Sequence, residues 1–167
     1  MLRWAVSSYN GPVAVRYPRG GNGEYTGSAW NGNDKLCCHR KGEKAAIVVY
    51  GTMLQNAMDA ANLLEDRGIS VSVIRLLTVE PLPAEALAAC LPDHMPVFVV
   101  EEVCSGSGIR EALAWELAKY KPDCKVHGLD LGKNYVAHGG VKTLYKHCGI
   151  DHNAIADTIL EVLKGEN

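Results

Sequence analysis

Three short, mostly apolar runs dominate this chain: AAIVVY at Ala45–Tyr50, VSVIRL at Val71–Leu76 and VFVVE at Val97–Glu101. A strand facing water on one side alternates apolar and polar residues, whereas a strand covered on both faces reads as a continuous apolar run. These runs are therefore expected to form the centre of a sheet covered on both sides. The segments between them carry helical spacing. Leu54, Ala57, Met58, Ala61 and Leu64 form one apolar stripe, which Gly68 ends, and Ala84–Leu91 reads as a short helix closed by Pro92. Strand and helix alternating in this way argue for βαβ units and a mainly parallel sheet.

The same reading extends to the end of the chain. Lys35–Arg40 and Lys125–Gly128 are expected as short flanking strands, which makes five in all. Ser105-Gly106-Ser107-Gly108 leads into a helix carrying Ile109, Ala112, Leu113 and Leu117, ended near Pro122. Two more amphipathic helices follow, one with Val141, Leu144, Tyr145 and Cys148 on its stripe, the other with Ile155, Ile159, Val162 and Leu163. The expected fold class is α/β, with three layers (α/β/α) around a mostly parallel five-stranded sheet.

The beginning is different. Gly20–Asp34 (GGNGEYTGSAWNGND) holds no hydrophobic period and reads as a linker. Before it, Val13, Val15 and Tyr17 alternate with Pro12, Ala14 and Arg16 as in a single strand, and a single strand cannot fold alone. Residues 1–33 are thus expected to be the tail of something larger, and residues 34–167 a domain of their own.

Composition excludes several classes. With 17 Lys+Arg against 19 Asp+Glu, the chain has no net field to attract nucleic acid or an anionic membrane. Its apolar runs are far shorter than the roughly 20 residues that span a bilayer, and residues 1–10 lack the apolar stretch of a secretory signal. A cytoplasmic protein is expected, with its six cysteines as reduced thiols. Cys37, Cys38 and His39 are contiguous, and His147, Cys148 and His152 are close, but no C-x₂-C pair exists and adjacent strand residues point to opposite faces. That spacing argues against a zinc site.

Few residues invite chemistry. Arg16 and Arg19, in VRYPRG, present two guanidinium groups around a proline-set turn and suit a phosphate or a carboxylate; pairing with a surface carboxylate is the alternative. Ser105–Gly108, between a buried strand and a helix, could hold an anion on backbone N–H groups, or be an ordinary turn. Glu101 and Glu102 sit at the carboxyl edge of a strand, where a paired acid could do proton-transfer work, although a solvated surface pair is the commoner arrangement. His138, in AHGG, could approach a ligand or remain a loop histidine. No G-x-S-x-G motif and no recognisable nucleophile–His–acid set appears.

Taken in order, these segments resemble a known family. GPVAVRYPRG (Gly11–Gly20) followed by Asn22-Gly23 is similar to the end of the middle, pyrimidine-binding domain of the 1-deoxy-D-xylulose-5-phosphate synthases. GEKAAIVVYGTM, SVIRLLTVEPLP, VFVVEE, the Gly-rich helix start and HGGVKTLYKHCGID resemble the transketolase carboxy-terminal domain. The resemblance covers essentially the whole chain. It implies residues 1–33 as the remnant of the middle domain with its linker, and residues 34–167 as a transketolase C-terminal-like domain.

Members of that family are thiamine-diphosphate enzymes of three α/β domains that work as dimers. The synthases condense pyruvate with glyceraldehyde 3-phosphate, release CO₂ and feed isoprenoid biosynthesis. Thiamine diphosphate and Mg²⁺ are implied for the parent enzyme but not for this chain, whose segments correspond to neither cofactor-binding region. Arg16 matches the family arginine that contacts the phosphate of the acceptor aldehyde, with Arg19 as a further substrate-binding candidate; no catalytic, cofactor-binding or metal residue carries over. The VCSGSG turn is shorter than the loop of the better-known synthases, so no role is borrowed for it. The resemblance implies a structural, dimer-forming part of a transferase, inactive alone, whose partners are the remaining domains of the parent. The alternatives are the corresponding domain of a split transketolase or of a 2-oxoacid dehydrogenase β subunit, and a free-standing anion-binding module.

Overall fold

Ala45–Val49 is wholly buried because its side chains feed two separate cores, and that single fact organises the molecule. Ala45, Ile47 and Val49 point to one face and Ala46 and Val48 to the other, as strand alternation requires. The computed structural model describes residues 2–15 and 32–165. Among these, five strands form one sheet: β1 (Leu36–Arg40), β2 (Ala45–Val49), β3 (Val71–Leu76), β4 (Val97–Val100) and β5 (Val126–Leu129), in the order β1-β3-β2-β4-β5. β3, β2, β4 and β5 run parallel, and β1 pairs antiparallel with β3. The sheet is therefore mostly parallel and five-stranded, as the apolar runs imply.

Helices cover both faces. α2 (Leu54–Glu65) and α6 (His152–Gly165) pack with Ile47, Val73, Phe98 and Val100 on one side. α3 (Ala84–Ala89) and α4 (Arg110–Ala118) pack with Val48, Ile74, Val97 and Val99 on the other. α5 (Val141–Cys148) lies before α6, with Tyr145 and Cys148 against the first core. The helix ends follow from local chemistry. Gly68 adopts φ +76° after α2 and donates to the carbonyl of Glu65 at 2.8 Å, while Ile69 donates to Leu64 at 2.9 Å. This left-handed closure satisfies carbonyls the helix leaves open, and glycine enters it without a Cβ penalty.

The amino-terminal segment departs from expectation. A six-residue helix, α1 (Leu2–Ser7), precedes it with no buried side chain, and Pro12–Val15 is not a strand although its residues alternate. Alternation specifies which face a strand would present, but a strand also needs a neighbour for its backbone groups. β3 takes β1 as its antiparallel neighbour. Tyr17, the linker at 20–31, Arg16 and Arg19 lie outside the described residues.

A candidate functional site at the carboxyl edge of β2 and β4

The chain leaves β2 toward β3 on one side and returns to β4 on the other. In open α/β sheets such a reversal opens a crevice beyond the carboxyl ends of the two strands, where ligands tend to bind. Here that crevice receives Tyr50 and the 3₁₀ turn Gly51–Met53 from the end of β2, and Glu101, Glu102 and the Ser105–Gly108 turn from the end of β4. Asp130 follows β5 beside them, and Tyr145 reaches in from α5.

Glu101 is the centre of this arrangement. It is only 3% exposed, which corrects the expectation of a solvated pair. Its carboxylate accepts the backbone N–H of Ile109 at 2.7 Å and of Arg110 at 3.2 Å, and the Tyr50 hydroxyl donates to it at 3.0 Å. A charge so deeply placed persists only when paired or well hydrogen-bonded, and the first turn of α4 supplies that. The helix N-terminus favours a negative charge, so the carboxylate serves as both cap and counter-charge.

The Gly-Ser turn is shaped around that carboxylate. A Cβ at Gly108 would fall 2.2 Å from Glu101 Oε2, so only glycine lets it approach. Gly106 turns with φ +79°. Ser105 donates its hydroxyl to Asp130, which also accepts the Gly132 N–H at 2.9 Å. Arg110 lies across β5, where a Cβ on Gly128 would meet its Cδ at 2.2 Å, and its guanidinium pairs with Glu111. The seat that a free anion would need at Ser105–Gly108 is filled by the chain's own Glu101.

A second layer lies outside the first. Thr52 donates its hydroxyl to Glu102 Oε2 at 3.1 Å, and Tyr145 hydrogen-bonds both Glu102 and Thr52. Burial, then the charge of Glu101 and the hydrogen bond to it, push the Tyr50 phenol up to about 12. Burial, then the hydrogen bond to Glu102, likewise push Tyr145 up to about 12. Both phenols remain neutral donors across the physiological range. The cluster thus joins the ends of β2, β4 and β5 to α4 and α5 by internal hydrogen bonds, and its acidic groups repel rather than recruit phosphate.

The structure brings Glu101, Glu102 and the Ser105–Gly108 turn together. His138 is exposed on its loop and apart from these contacts. Among the described residues no three His, Cys, Asp or Glu side chains converge as for a metal ion, and no helix is long and apolar enough to cross a membrane. Sequence reasoning missed Tyr50, Thr52, Asp130 and Tyr145. Tyr50 closes an otherwise aliphatic run, which marks the point where β2 meets polar surroundings; Tyr145 is hidden inside an amphipathic stripe.

Comparison with known proteins agrees with this architecture. Residues 34–155 match the family described as transketolase, C-terminal domain. A 1-deoxy-D-xylulose-5-phosphate synthase of Clostridium perfringens (strain SM101) is 30% identical over 172 residues, spanning 98% of this chain and 27% of the relative. One from Caldanaerobacter subterraneus subsp. tengcongensis is 34% identical over 157 residues, spanning 92% and 25%. The chain thus spans about a quarter of the length of the curated relatives it matches. Among solved structures, a split-gene transketolase described as an inactive β4 tetramer superposes with TM-score 0.65 at 22% identity, covering 77% of this chain and 41% of that one, and shows the fold alone. A Pichia stipitis transketolase complexed with sedoheptulose 7-phosphate gives TM-score 0.56 at 26% identity, covering 78% and 18%. With its doubly wound sheet and this match over most of its length, the chain belongs to the transketolase C-terminal domain family.

Proposed function

We propose that this chain is the carboxy-terminal part of a thiamine-diphosphate-dependent 1-deoxy-D-xylulose-5-phosphate synthase, and that it holds structure and subunit contacts rather than performing the reaction alone. The observation that carries this reading is coverage: nearly all of the chain corresponds to about a quarter of each synthase it resembles. Residues 1–33 are then the end of the middle domain with its linker, and 34–167 the terminal domain. The parent reaction joins pyruvate to glyceraldehyde 3-phosphate with loss of CO₂, in the cytoplasm, toward isoprenoids.

The described residues do not fit thiamine diphosphate. The turn that most resembles a diphosphate seat, Ser105–Gly108, is filled by Glu101 and flanked by Asp130 and Glu102. In this reading the cofactor and Mg²⁺ belong to the preceding domains, which are this chain's partners, within a homodimer. Side chains that a larger assembly can cover support that role: Trp115, Tyr135 and Val141 are 74%, 99% and 58% exposed. Arg16, with Arg19 beside it, would meet the phosphate of the acceptor aldehyde, because a guanidinium forms charge-assisted hydrogen bonds to phosphate oxygens.

Immunoblotting of the cells that make this protein, with an antibody to the chain, tests the assignment. A polypeptide several times larger than 18.0 kDa is expected. A native band at 18.0 kDa, together with CO₂ release from pyruvate by the purified chain, would overturn it.

A further inference from the structure

The opposite end of the sheet, away from Glu101, carries an open cleft of about 440 Å³. Cys38 and Lys41 line it from β1 and the turn after it, Ser72 from β3, and Cys90 and Pro92 from the turn behind α3. Two cysteines from different elements therefore line one space that a small solute can enter. Cys38 is partly buried and packs on the same apolar cluster as Leu87 and Ala88 of α3, the helix that ends at Cys90. Its thiol donates to the Arg40 carbonyl at 3.1 Å. Cys90 is exposed, at the carboxyl end of a helix only six residues long. Cys37, on the opposite face of β1, does not line the cleft.

The two cysteines also interact electrostatically. Burial first, and then the neighbouring Cys90, push the Cys38 thiol up, with Lys41 opposing them. Thiolate rather than thiol attacks a disulfide, so the exposed Cys90 is the entry point and the shielded Cys38 reacts second.

We propose that Cys38 and Cys90 form a redox pair that closes to a disulfide across this cleft when a small-molecule disulfide, such as glutathione disulfide, enters it. In the first step the Cys90 thiolate attacks one sulfur of glutathione disulfide, and one glutathione leaves as thiolate. In the second the Cys38 thiolate attacks Cys90 Sγ, and the second glutathione leaves. The protein dithiol is oxidised, one glutathione disulfide is reduced to two glutathiones, and the two thiol protons pass to the solvent and the leaving thiolates. The product ties edge strand β1 to the end of α3. It is a property of this chain alone, and it stands whether or not the chain belongs to a synthase.

The test exposes the folded 167-residue chain to glutathione disulfide, blocks remaining thiols by alkylation and maps peptides by mass spectrometry without reduction. The expected product is the Cys38 peptide linked to the Cys90 peptide, with both positions lost from the alkylated pool. In Cys38→Ser, glutathione is expected to remain on Cys90 as a stable mixed disulfide; in Cys90→Ser, Cys38 stays reduced. A wild-type chain that carries glutathione on Cys90 while Cys38 is still alkylated would overturn the proposal. So would a link from Cys90 to Cys37, or no reaction at either position.

Discussion

Replacing Glu101 by alanine removes, in one step, the acceptor of three donors: the N–H groups of Ile109 and Arg110 and the Tyr50 hydroxyl. Losing a helix cap costs about 1 kcal/mol. Leaving the half-buried Tyr50 hydroxyl without its partner adds about 1–3 kcal/mol. The expected loss for Glu101→Ala is thus about 2–4 kcal/mol, which at about 2–4 °C per kcal/mol for a domain of this size is a fall in Tm of about 4–16 °C. Glu101→Gln separates charge from shape. It keeps one acceptor oxygen but turns an NH₂ group toward the donors and drops the charge facing the helix N-terminus, so its loss should lie between wild type and alanine. Thermal unfolding followed by circular dichroism at neutral pH measures all three proteins. Gly108→Ala sharpens the test, because its Cβ would displace the same carboxylate. Combined with Glu101→Ala it should add much less than it costs alone. A Glu101→Ala protein within about 0.5 kcal/mol of wild type, the range of ordinary surface changes, would refute the reading of Glu101 as an internal anion.

Three further outcomes are expected. Tyr50 and Tyr145 are raised from 10.0 to about 12, so both bind their protons more tightly when folded than when unfolded. The stability they contribute is complete below pH 10 and disappears as pH rises toward 12. Absorbance titration, with Tyr50→Phe and Tyr145→Phe to assign the transitions, should show these two phenols ionising near 12, and Glu101→Gln should move Tyr50 down while leaving Tyr145 in place. Gly42→Ala should destabilise the chain by about 1–3 kcal/mol in urea unfolding, because the new Cβ would lie 2.3–2.5 Å from the Val71 backbone and drive the β1–β2 turn off β3. In the parent holoenzyme, Arg16→Ala should raise KM for glyceraldehyde 3-phosphate and leave KM for pyruvate unchanged; an unaltered value for the aldehyde removes Arg16 from the site.

Much of the fold is legible along the chain because it rests on local periodicity. β3 spans Val71–Leu76, as its apolar run predicts, and α2 ends where Gly68 allows it. Each depends on neighbours within a few residues, and such preferences survive reading in one dimension. The candidate site was less legible. Two adjacent glutamates at a strand end look alike in sequence, yet Glu101 is buried on a helix N-terminus while Glu102 stays exposed and bound to Thr52. The difference appears only once α4 folds back and sets its first N–H groups against Glu101.

By itself, then, the sequence determined the alternation of strand and helix and the mostly parallel sheet, because burial on two faces and helical stripes are written into residue spacing, while the family came from the resemblance of its segments to known motifs. Only the tertiary structure decided that β1 runs antiparallel on β3, that Pro12–Val15 forms no strand and that the Ser105–Gly108 turn receives a carboxylate from its own chain. The physical reason is the same in each case. Backbone groups and buried charges must find partners, and those partners lie far away in sequence, brought close only by the packing of the whole sheet.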